Sequence, residues 1–378
     1  LTSRVGGGQS PGGGYTGPMT TELKGLVLSG GKGSRLRPLT YTGAKQLVPI
    51  ANKPILFYAL EELRAADVSD IAIIVSPETG DHVRAAAGDG ARFGCRITYI
   101  EQAEPGGIAQ AIGLARDAMG DAPFVTFLGD NFITGGIVPY AQAFASSEAD
   151  AGVLLKHVPD ARQFGVAAFE GERLVRVVEK PPEPPSDLAV IGIYFFRPRV
   201  FDAIAAIRPS ARGELEITDT IQWLLEHGGH VRSDVVEGEW IDTGRHDDLL
   251  AANRLILETI EHDPSGGTGD DHSKLHGRVV LQAGCRVVNS VISGPAIIGE
   301  GTLVEHSYVG PFTSIGAGCR ISASEIAGSV VMEDTTIEGL GHRIEHSLIG
   351  RNVEVRAGEQ KPRGYQLILG DYSKLQVP

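Results

Sequence analysis

Short apolar runs alternate with amphipathic segments along residues 23–260. Runs of β-branched and other apolar residues that stop at glycine, proline or polar residues predict buried strands. These runs cover residues 26–28, 71–75, 97–100, 124–128 and 190–196. Apolar residues at helical spacing predict helices over residues 55–63, with Pro54 at the first helical position, over 109–119, around Trp223 and over 248–260. The alternation predicts an α/β domain whose mostly parallel sheet carries helices on both faces.

Beyond residue 275 the pattern changes to a six-residue repeat. Val309, Ile315 and Ile321 lie six residues apart. Three pairs recur every 17 residues, namely Asn289-Ser290, His306-Ser307 and Ala323-Ser324. One inward aliphatic residue per side, with small polar residues at the turns, is typical of a parallel β-helix. Because the ends of a solenoid must be covered, we expect the apolar residues within 359–378 to cover its last coil.

These patterns divide the chain into four parts. Residues 1–22 are rich in glycine and lack the apolar core of a signal peptide, so we expect a disordered leader or tag. The α/β domain is expected over residues 23–260. A polar, glycine-containing linker is expected over 261–274, and the β-helix with a C-terminal tail over 275–378.

The charge of the chain narrows the function. Lys and Arg number 34 against 47 Asp and Glu, which gives a net charge of −13. An acidic chain does not favour nucleic acid or an anionic membrane as a partner, and no apolar stretch approaches the ~18 residues of a membrane span. The three cysteines are scattered without metal-binding spacing, which indicates a reducing cytoplasm and no structural zinc.

A glycine-rich, basic loop follows the first predicted strand. Gly30, Gly31 and Gly33 allow backbone N–H groups to converge on an anion. The basic residues near them are Lys32, Arg35, Arg37 and Lys45. The spacing fits neither a Walker A loop nor a dinucleotide-binding fingerprint. The loop therefore predicts a polyphosphate site of another kind, with a simple tight connection as the alternative.

Two aspartates follow apolar segments that lie far apart in the sequence. Asp130 comes directly after the strand over 124–128, and Asp242 lies in the sequence Trp-Ile-Asp-Thr-Gly at residues 240–244. Ligands bind at the carboxyl ends of parallel strands, and Mg²⁺ prefers carboxylate and phosphate oxygens. Either aspartate could instead cap a turn. Together they predict a site for a metal-bound nucleotide.

The sequence resembles the sugar-1-phosphate nucleotidylyltransferases over residues 24–378. The resemblance lies in the register of the glycines, Arg35 and Lys45-Gln46, and residues 44–50 look most like the glucose-1-phosphate thymidylyltransferases. The repeats resemble the left-handed β-helix of the long-form members. The resemblance implies an α/β, Rossmann-like nucleotidyltransferase domain with a mostly parallel sheet, followed by a left-handed parallel β-helix of the hexapeptide type.

The resemblance also assigns roles to residues. It implies that Arg35, Lys45, Asp130 and Lys180 are catalytic and that Asp130 and Asp242 hold Mg²⁺. It implies that the nucleotide is bound by Leu28, Gly30, Gly31, Gly33, Gln46, Gln102 and Gly107. The amide of Gln102 would pair with thymine or uracil, although Gly106 stands where many short members carry Asp.

On the sugar side, the resemblance points to segments 164–166 and 178–181, which we expect to be strands that end in turns. The sugar phosphate would be bound by Gly165, Glu179, Lys180, Val190 and Arg212. The glycine at 192, inside the strand over 190–196, suggests backbone close to a ligand. A solvated Glu179-Lys180 pair and an exposed Arg212 are the alternatives.

The expected reaction joins dTTP and α-D-glucose-1-phosphate into dTDP-glucose with release of pyrophosphate, for deoxysugar biosynthesis. The alternatives are an enzyme that transfers a uridylyl group, an enzyme that uses another sugar phosphate, and a silent subunit that binds sugar nucleotides. A further alternative function is acyl transfer by a histidine of the β-helix, for which His306, His342 and His346 are available. We expect a cytoplasmic homo-oligomer assembled through the β-helix, which would also pack on its own catalytic domain.

Overall fold

The computed structural model describes residues 22–31 and 33–358. The predicted leader, apart from Glu22, lies outside the described residues. The same holds for Lys32 of the glycine-rich loop and for the predicted covering segment 359–378.

The first part of the chain contains thirteen strands and eight α-helices. The strands are β1 Lys24–Ser29, β2 Pro49–Ile50, β3 Lys53–Pro54, β4 Asp70–Val75, β5 Arg96–Glu101, β6 Phe124–Leu128, β7 Asn131–Ile133, β8 Ala151–His157, β9 Gly165–Glu170, β10 Arg173–Glu179, β11 Leu188–Phe196, β12 Val231–Val235 and β13 Trp240–Asp242. The helices are α1 Ile55–Ala65, α2 Gly80–Ala87, α3 Ile108–Leu114, α4 Arg116–Met119, α5 Val138–Ala145, α6 Val200–Ala206, α7 Ile217–Glu226 and α8 His246–Leu257. Short 3₁₀ turns cover Ser34–Leu36, Lys45–Leu47, Ala91–Phe93 and Ala161–Gln163.

Nine of these strands form one sheet with the order β10-β9-β11-β6-β1-β4-β5, and β8 joins β11 to β12. Strands β6, β1, β4 and β5 are parallel to one another, as predicted. Strands β8 and β9 pair antiparallel with β11, which itself runs antiparallel to β6, and β10 pairs antiparallel with β9. The parallel half thus carries the glycine-rich loop, and the antiparallel half carries the predicted sugar-side residues.

Alternate residues of the central strands face two separate hydrophobic cores. Val27 of β1 packs in one core with α1, α2 and α5, whereas Leu26 and Leu28 pack in the other with α3, α6 and α7. Burial on both faces explains why these strands are continuous apolar runs rather than alternating ones. The predicted α/β architecture with helices on both faces is confirmed.

Three predicted helices differ from the structure in their boundaries. The helix predicted over 248–260 is α8, His246–Leu257. Pro54 precedes α1 instead of occupying its first turn, because it pairs with Pro49 in the β2–β3 hairpin. The helix predicted over 109–119 is divided into α3 and α4 at Ala115. There the N–H of Ala115 donates to the carbonyl of Ile112 at 3.0 Å, a tighter i−3 bond that interrupts the α-helical pattern.

The described residues of the C-terminal part, up to residue 358, form three parallel sheets. The first contains β14 Thr268–Gly269, β17 Arg286–Val288, β20 Leu303–Glu305, β23 Arg320–Ser322, β26 Thr336–Glu338 and β29 Glu354–Arg356. The second contains β15 Lys274–His276, β18 Val291–Ser293, β21 Tyr308–Val309, β24 Glu325–Ala327 and β27 Ile344–Glu345. The third contains β16 Val279–Leu281, β19 Ala296–Ile298, β22 Thr313–Ile315, β25 Val330–Val331 and β28 Leu348–Ile349. Three-sided coils of this length are typical of the left-handed β-helix that the repeat predicts.

The repeat predicted from sequence corresponds to the inside and the corners of these coils. Val309, Ile315 and Ile321 are all fully buried in one aliphatic core. At one corner, Asn289, His306 and Ala323 adopt positive φ angles of 42°, 48° and 44°. The serines that follow them form a ladder, in which Ser290 Oγ accepts from the N–H of Ser307 at 3.0 Å and Ser307 Oγ accepts from the N–H of Ser324 at 3.2 Å.

Part of the segment predicted as a linker, 261–274, belongs to the first coil. Asp263 exchanges backbone hydrogen bonds with Val279 and Leu281, and β14 pairs with β17. A Cβ atom on Gly267 would lie only 2.5 Å from Cys285 Sγ. The glycine therefore permits close packing over the end of the aliphatic core. The need for a residue without a side chain at this position explains why the segment has the glycine-containing composition of a flexible linker.

The β-helix packs against the catalytic domain near the glycine-rich loop. Met332 of the β-helix lies in a buried cluster with Leu36, Val48 and Ile55. Arg351 donates to the carbonyl of Leu47 at 3.3 Å. The β-helix thus supports the segment of chain that carries Lys45.

Asn253 on α8 is the polar centre of this contact. Its side chain is buried, and its Oδ1 accepts from the N–H of Ala51 at 2.8 Å and from Ser314 Oγ at 2.9 Å. Its Nδ2 donates to the carbonyl of Phe312 at 3.2 Å. One side chain therefore connects the β2–β3 hairpin, α8 and the β-helix.

Among the described residues, no helix has the length and hydropathy needed to cross a membrane.

Replacing Asn253 by Ala should destabilise the protein. Two buried hydrogen-bonding groups, the N–H of Ala51 and the hydroxyl of Ser314, would lose their partner, at a cost of about 1–3 kcal/mol for each unpaired group. The midpoint of thermal unfolding should therefore fall by several degrees. Gln142→Ala, which removes an exposed amide on α5, is the control. Equal midpoints for the two variants would contradict this account of the domain contact.

Candidate active site

A cavity of about 310 Å³ opens at the carboxyl ends of β1 and β6. Nine residues predicted from the sequence line it, namely Leu28, Gly30, Gly31, Lys45, Gln46, Gln102, Gly107, Asp130 and Asp242. Six further residues complete the wall, namely Pro105, Ile108, Ala111, Leu128, Asn131 and Glu214. The predicted nucleotide and metal residues are thus brought to one place, whereas Gly33 and Arg35 do not line this cavity.

The glycines of the loop after β1 make room for Lys45. A Cβ on Gly31 would lie 3.0 Å from Lys45 Cε, and one on Gly33 would lie 2.9 Å from Lys45 Cβ. Gly33 also has a φ of 61°, and its carbonyl accepts from Thr40 Oγ1 at 2.7 Å. The loop can therefore lie directly against the Lys45 side chain, which points into the cavity.

Asp130 and Asp242 approach each other because their strands pair. Strand β13 runs antiparallel to β7, so that Asp242 lies opposite Asn131, the residue after Asp130. The hydroxyl of Thr243 donates to the carbonyl of Asp130 at 2.6 Å and holds the two segments together. The ammonium of Lys45 donates to Asp130 Oδ2.

Burial and charge act on the protons of these three groups. Burial raises the pKa of Asp242, and the nearby Asp130 charge raises it further, to about 6. Burial also acts to raise the pKa of Asp130, but the Lys45 ammonium outweighs it and holds that pKa below its usual value. The same ion pair overcomes burial at Lys45 and raises the pKa of its ammonium. The cavity therefore contains two competing carboxylates with one ammonium as their counter-charge.

Arg35 lies at the exposed edge of the site. Burial and the Asp130 charge have the larger effects on the pKa values of Asp242 and Lys45. The positive charge of Arg35 lowers both of these pKa values. The guanidinium is therefore close enough to act on the charges in the cavity. It remains accessible to a ligand that enters from solvent.

The predicted sugar-side residues form a second cluster. Gly165 of β9 lies opposite both Glu179 of β10 and Val190 of β11. Lys180, with a φ of 40°, places its ammonium 3.3 Å from Glu179 Oε1. The other carboxylate oxygen of Glu179 accepts from Thr218 Oγ1 at 3.2 Å.

Arg212 joins this cluster through carboxylates rather than standing free in solvent. Its Nε and Nη2 donate to the two oxygens of Glu216 at 3.1 and 2.7 Å, and Nη2 also donates to Glu179 Oε1 at 3.1 Å. Such a two-pronged bond fixes the plane of the guanidinium. The Arg212 side chain is also 42% exposed, as the alternative of an exposed loop arginine expects.

The two clusters are connected by the loop before α7. Leu215 donates to the carbonyl of Gly106 at 2.8 Å and accepts from the N–H of Ala109 at 3.1 Å. A Cβ on Gly107, whose φ is 100°, would lie 2.5 Å from the carbonyl oxygen of Leu215. The neighbouring Glu214 lines the cavity and lies 3.7 Å from Arg212. The loop that follows β5 is therefore attached to the segment that carries Arg212.

Comparison with known proteins identifies the family. The family model described as nucleotidyl transferase matches residues 24–259. The chain belongs to this family. The resemblance to nucleotidylyltransferases that the sequence shows is thereby confirmed.

Relatives in this family match the chain over nearly its whole length. A glucose-1-phosphate thymidylyltransferase of Streptomyces griseus is 48% identical over 356 residues, which are 94% of this chain and 99% of the relative. The low-salt glycan biosynthesis nucleotidyltransferase Agl11 of Haloferax volcanii is 43% identical over 359 residues, 94% of this chain and 100% of the relative.

Solved structures of similar proteins match 62–63% of the chain. A crystal structure described as a Bacillus anthracis glucose-1-phosphate thymidylyltransferase in complex with sucrose has 42% identity and a TM-score of 0.59, and the match covers 62% of this chain and 94% of that one. A UDP-glucose pyrophosphorylase with UDP-glucose has 23% identity and a TM-score of 0.57, covering 63% of this chain and 99% of that one, which supports the fold alone.

The metal that this family implies fits the residues present. Asp242 and Asp130 supply two carboxylates, and burial together with the neighbouring Asp130 charge raises the pKa of Asp242. Oxygen ligands of this kind suit Mg²⁺, which usually takes one or two protein carboxylates and completes its shell with phosphate and water. Among residues 22–31 and 33–358, no cluster of three or more possible His, Cys, Asp or Glu ligands is found.

Sequence reasoning missed several residues of this nucleotidyl transferase site. Asn131 accepts from Trp240 Nε1 at 2.6 Å and donates to Asp130 Oδ1 at 3.3 Å. Its position next to Asp130 was the available signal. Glu214 could have been found from its proximity to Arg212 in the sequence.

Gly192 has a different role from the predicted one. A Cβ at this position would lie 2.6 Å from Leu128 Cδ1 and 2.8 Å from Asn131 Oδ1. The glycine therefore allows β11 to pack closely on the end of β6, and these side chains lie where a ligand was expected.

The β-helix histidines lie in the turns of the coils. His306 and His346 occupy corners with positive φ, and His306 Nδ1 is 2.8 Å from Asn289 Nδ2. These observations favour a structural role over acyl transfer.

The pKa of Asp242 leads to a prediction about stability. Between its usual value of 3.8 and about 6, the folded metal-free protein holds a proton that the unfolded chain has released. The contribution of Asp242 to stability should therefore fall as pH rises through this interval. Asp242→Asn removes this effect, so its midpoint of thermal unfolding in EDTA should rise relative to wild type between pH 4 and pH 7.

Asp121→Asn, which changes an exposed carboxylate before the amino end of β6, is the control and should show a constant difference from wild type. A difference between Asp242→Asn and wild type that stays flat or shrinks with rising pH would refute the assigned charge competition.

Proposed function

We propose that this chain is a glucose-1-phosphate thymidylyltransferase. It transfers the thymidylyl group of dTTP to α-D-glucose-1-phosphate and releases pyrophosphate, which gives dTDP-glucose for deoxysugar biosynthesis. Support comes from relatives of that name that match the chain over 94% of its length. The observation that carries the proposal is the convergence of Lys45, Asp130 and Asp242 in one glycine-walled cavity, attached to a separate sugar-side cluster.

The reaction brings together two anions. An oxygen of the sugar phosphate attacks the α-phosphorus in line, the bond from that phosphorus to the bridging oxygen breaks, and pyrophosphate leaves. The main tasks of the protein are charge neutralisation and alignment. A site built from ammonium, guanidinium and paired carboxylates suits these tasks.

We assign the nucleotide side to residues around the cavity. Lys45 binds the nucleotide phosphates, and Arg35 at the exposed edge stabilises the α-phosphate and the leaving pyrophosphate. Gly30, Gly31 and Gly33 allow the backbone to approach the nucleotide. Asp130 and Asp242 hold Mg²⁺, which, when bound, neutralises phosphate charge and orients the triphosphate.

Gln46 has a property that suits ligand binding. It is 1% exposed, and its Oε1 has no hydrogen-bond partner among the described residues. An unpaired buried carbonyl costs about 1–3 kcal/mol. A donor on the nucleotide would remove that cost. Leu28, Gln102 and Gly107 complete the nucleotide side of the proposal.

We assign the sugar phosphate to the second cluster. Lys180 and Arg212 supply positive charge for the phosphate, and Glu179 accepts hydrogen bonds from sugar hydroxyls. Gly165 and Val190 flank Glu179 in the sheet. The bonds from Arg212 to Glu216 and Glu179 fix the position of the guanidinium beside Glu179.

Two features of the whole protein belong to the proposal. The three cysteines are free thiols, which suits a cytoplasmic protein. One side of the β-helix covers the catalytic domain, and we infer that other sides contact further copies of the chain in a homo-oligomer.

A turnover assay tests the proposed function. The enzyme should release pyrophosphate from dTTP and glucose-1-phosphate in the presence of Mg²⁺, and more slowly from CTP or GTP. Higher kcat/KM with UTP than with dTTP would favour uridylyl transfer. If pyrophosphate were released from none of the nucleoside triphosphates, this result would favour the silent binding subunit and contradict the proposal.

Replacing Arg35 by Ala should lower kcat by about 10²–10³-fold, the usual effect of losing one donor that stabilises transition-state charge. Arg37→Ala is the matched control, because Arg37 lies in the same loop but stacks on Tyr41, with 5.0 Å from Cζ to the ring centroid. Steady-state pyrophosphate release measures both variants. Near-normal kcat for Arg35→Ala would remove Arg35 from the assigned role.

A further inference from the structure

Gln110, in the first turn of α3, makes contacts that determine how a neighbouring amide is oriented. Its Oε1 accepts from the backbone N–H of Gly106 at 3.0 Å. The same oxygen lies 2.6 Å from Gln102 Nε2. Gln110 therefore lies between the loop that follows β5 and the buried amide of Gln102, which is 9% exposed.

The chemistry of these contacts fixes the orientation of both amides. A backbone N–H can only donate, so the Gln110 atom that faces Gly106 must be its carbonyl oxygen. Because that oxygen can only accept, the Gln102 atom beside it must be the amide nitrogen. The carbonyl of Gly107, 3.5 Å from the same nitrogen, requires the same orientation. The assignment of Gln102 thus follows from groups that cannot exchange roles.

With its nitrogen held in this way, Gln102 turns its Oε1 toward Gly30, and both residues line the cavity. A Cβ atom on Gly30 would lie 2.9 Å from that oxygen, so the oxygen faces the glycine that forms part of the cavity wall. The site therefore offers an acceptor at this point. A buried acceptor raises the affinity for a ligand that places a hydrogen-bond donor against it and lowers the affinity for one that places a lone pair there.

Nucleobases differ in this respect. Thymine and uracil carry an N–H at ring position 3, between two carbonyls, whereas cytosine carries a lone pair at that position. Adenine likewise has a lone pair at its corresponding ring nitrogen. A fixed acceptor at Gln102 distinguishes these two classes, but a freely rotating amide could serve either.

We propose that Gln110 is a positioning residue for nucleotide selection, which holds Gln102 as an acceptor and so favours bases with a ring N–H over cytosine and adenine. The inference rests on the proposed function, because it takes the cavity to be the nucleotide site. It adds to that function a residue that never needs to touch the base.

The test compares two substitutions of Gln110. Gln110→Met keeps the length of the side chain but removes the acceptor, so that only the weaker contact with the Gly107 carbonyl, at 3.5 Å, still holds the Gln102 nitrogen. Gln110→Glu keeps an acceptor for both Gly106 and Gln102 and should preserve the orientation. Gln222→Met is the matched control. The Gln222 amide also accepts a hydrogen bond from a backbone N–H, that of Val177, at 3.1 Å. Gln222 lies on α7 and does not line the cavity.

Two ratios are measured for each variant. The first is kcat/KM for dTTP divided by kcat/KM for CTP. The second is the dissociation constant of CDP divided by that of dTDP, both measured by calorimetry. Gln110→Met should reduce the preference for the thymine nucleotide roughly tenfold, the effect of one misoriented hydrogen bond. Gln110→Glu and Gln222→Met should retain the wild-type ratios. A Gln110→Met ratio equal to that of wild type, or an equal loss in Gln110→Glu, overturns the inference.

The binding measurement separates this inference from the proposed function. Wild-type protein that binds dTDP in preference to CDP but forms no product would contradict the proposed activity, and the role of Gln110 would still be decided by the binding ratios. Wild-type protein that binds the two diphosphates equally would overturn the inference even if it turned over dTTP.

Discussion

The candidate site depends on the charge balance among Lys45, Asp130 and Asp242. Two carboxylates are brought together in a largely buried place because β13 pairs with β7 and Thr243 donates to the carbonyl of Asp130. Such an arrangement is unfavourable without positive charge. In the metal-free protein the Lys45 ammonium supplies part of it, and a proton on Asp242 supplies more as the pH falls. A divalent cation between the two carboxylates would satisfy the same requirement more completely.

The rest of the fold serves to hold these charges in position. Lys45 lies in a short turn between the glycine-rich loop and the β2–β3 hairpin, and the glycines of that loop leave space for its side chain. The outer side of the same segment is covered by the β-helix through Met332, Arg351 and the hydrogen bonds of Asn253. The solenoid is therefore part of the support of the catalytic domain, in addition to any role in assembly.

Much of the architecture could be predicted because its signals are local. The apolar runs of β1, β4, β5 and β6 and the 17-residue recurrence of the corner serines each correspond to one structural requirement. Other features depend on contacts between distant segments. Gly267 resembles linker composition but packs over Cys285, and Gly192 suggests a ligand but packs on Leu128. The sequence also carries no sign that Arg212 is held by Glu216, or that Gln110 fixes the amide of Gln102.

The roles of Asp130, Asp242 and Lys45 can be tested by a crystal structure with Mn²⁺ and a non-hydrolysable dTTP analogue, with the metal located by anomalous scattering. We expect one strong anomalous peak in contact with the carboxylates of both Asp130 and Asp242, and we expect the Lys45 ammonium to contact the nucleotide phosphates. A metal bound elsewhere, or one that touches neither carboxylate while the nucleotide occupies the cavity, would contradict these roles.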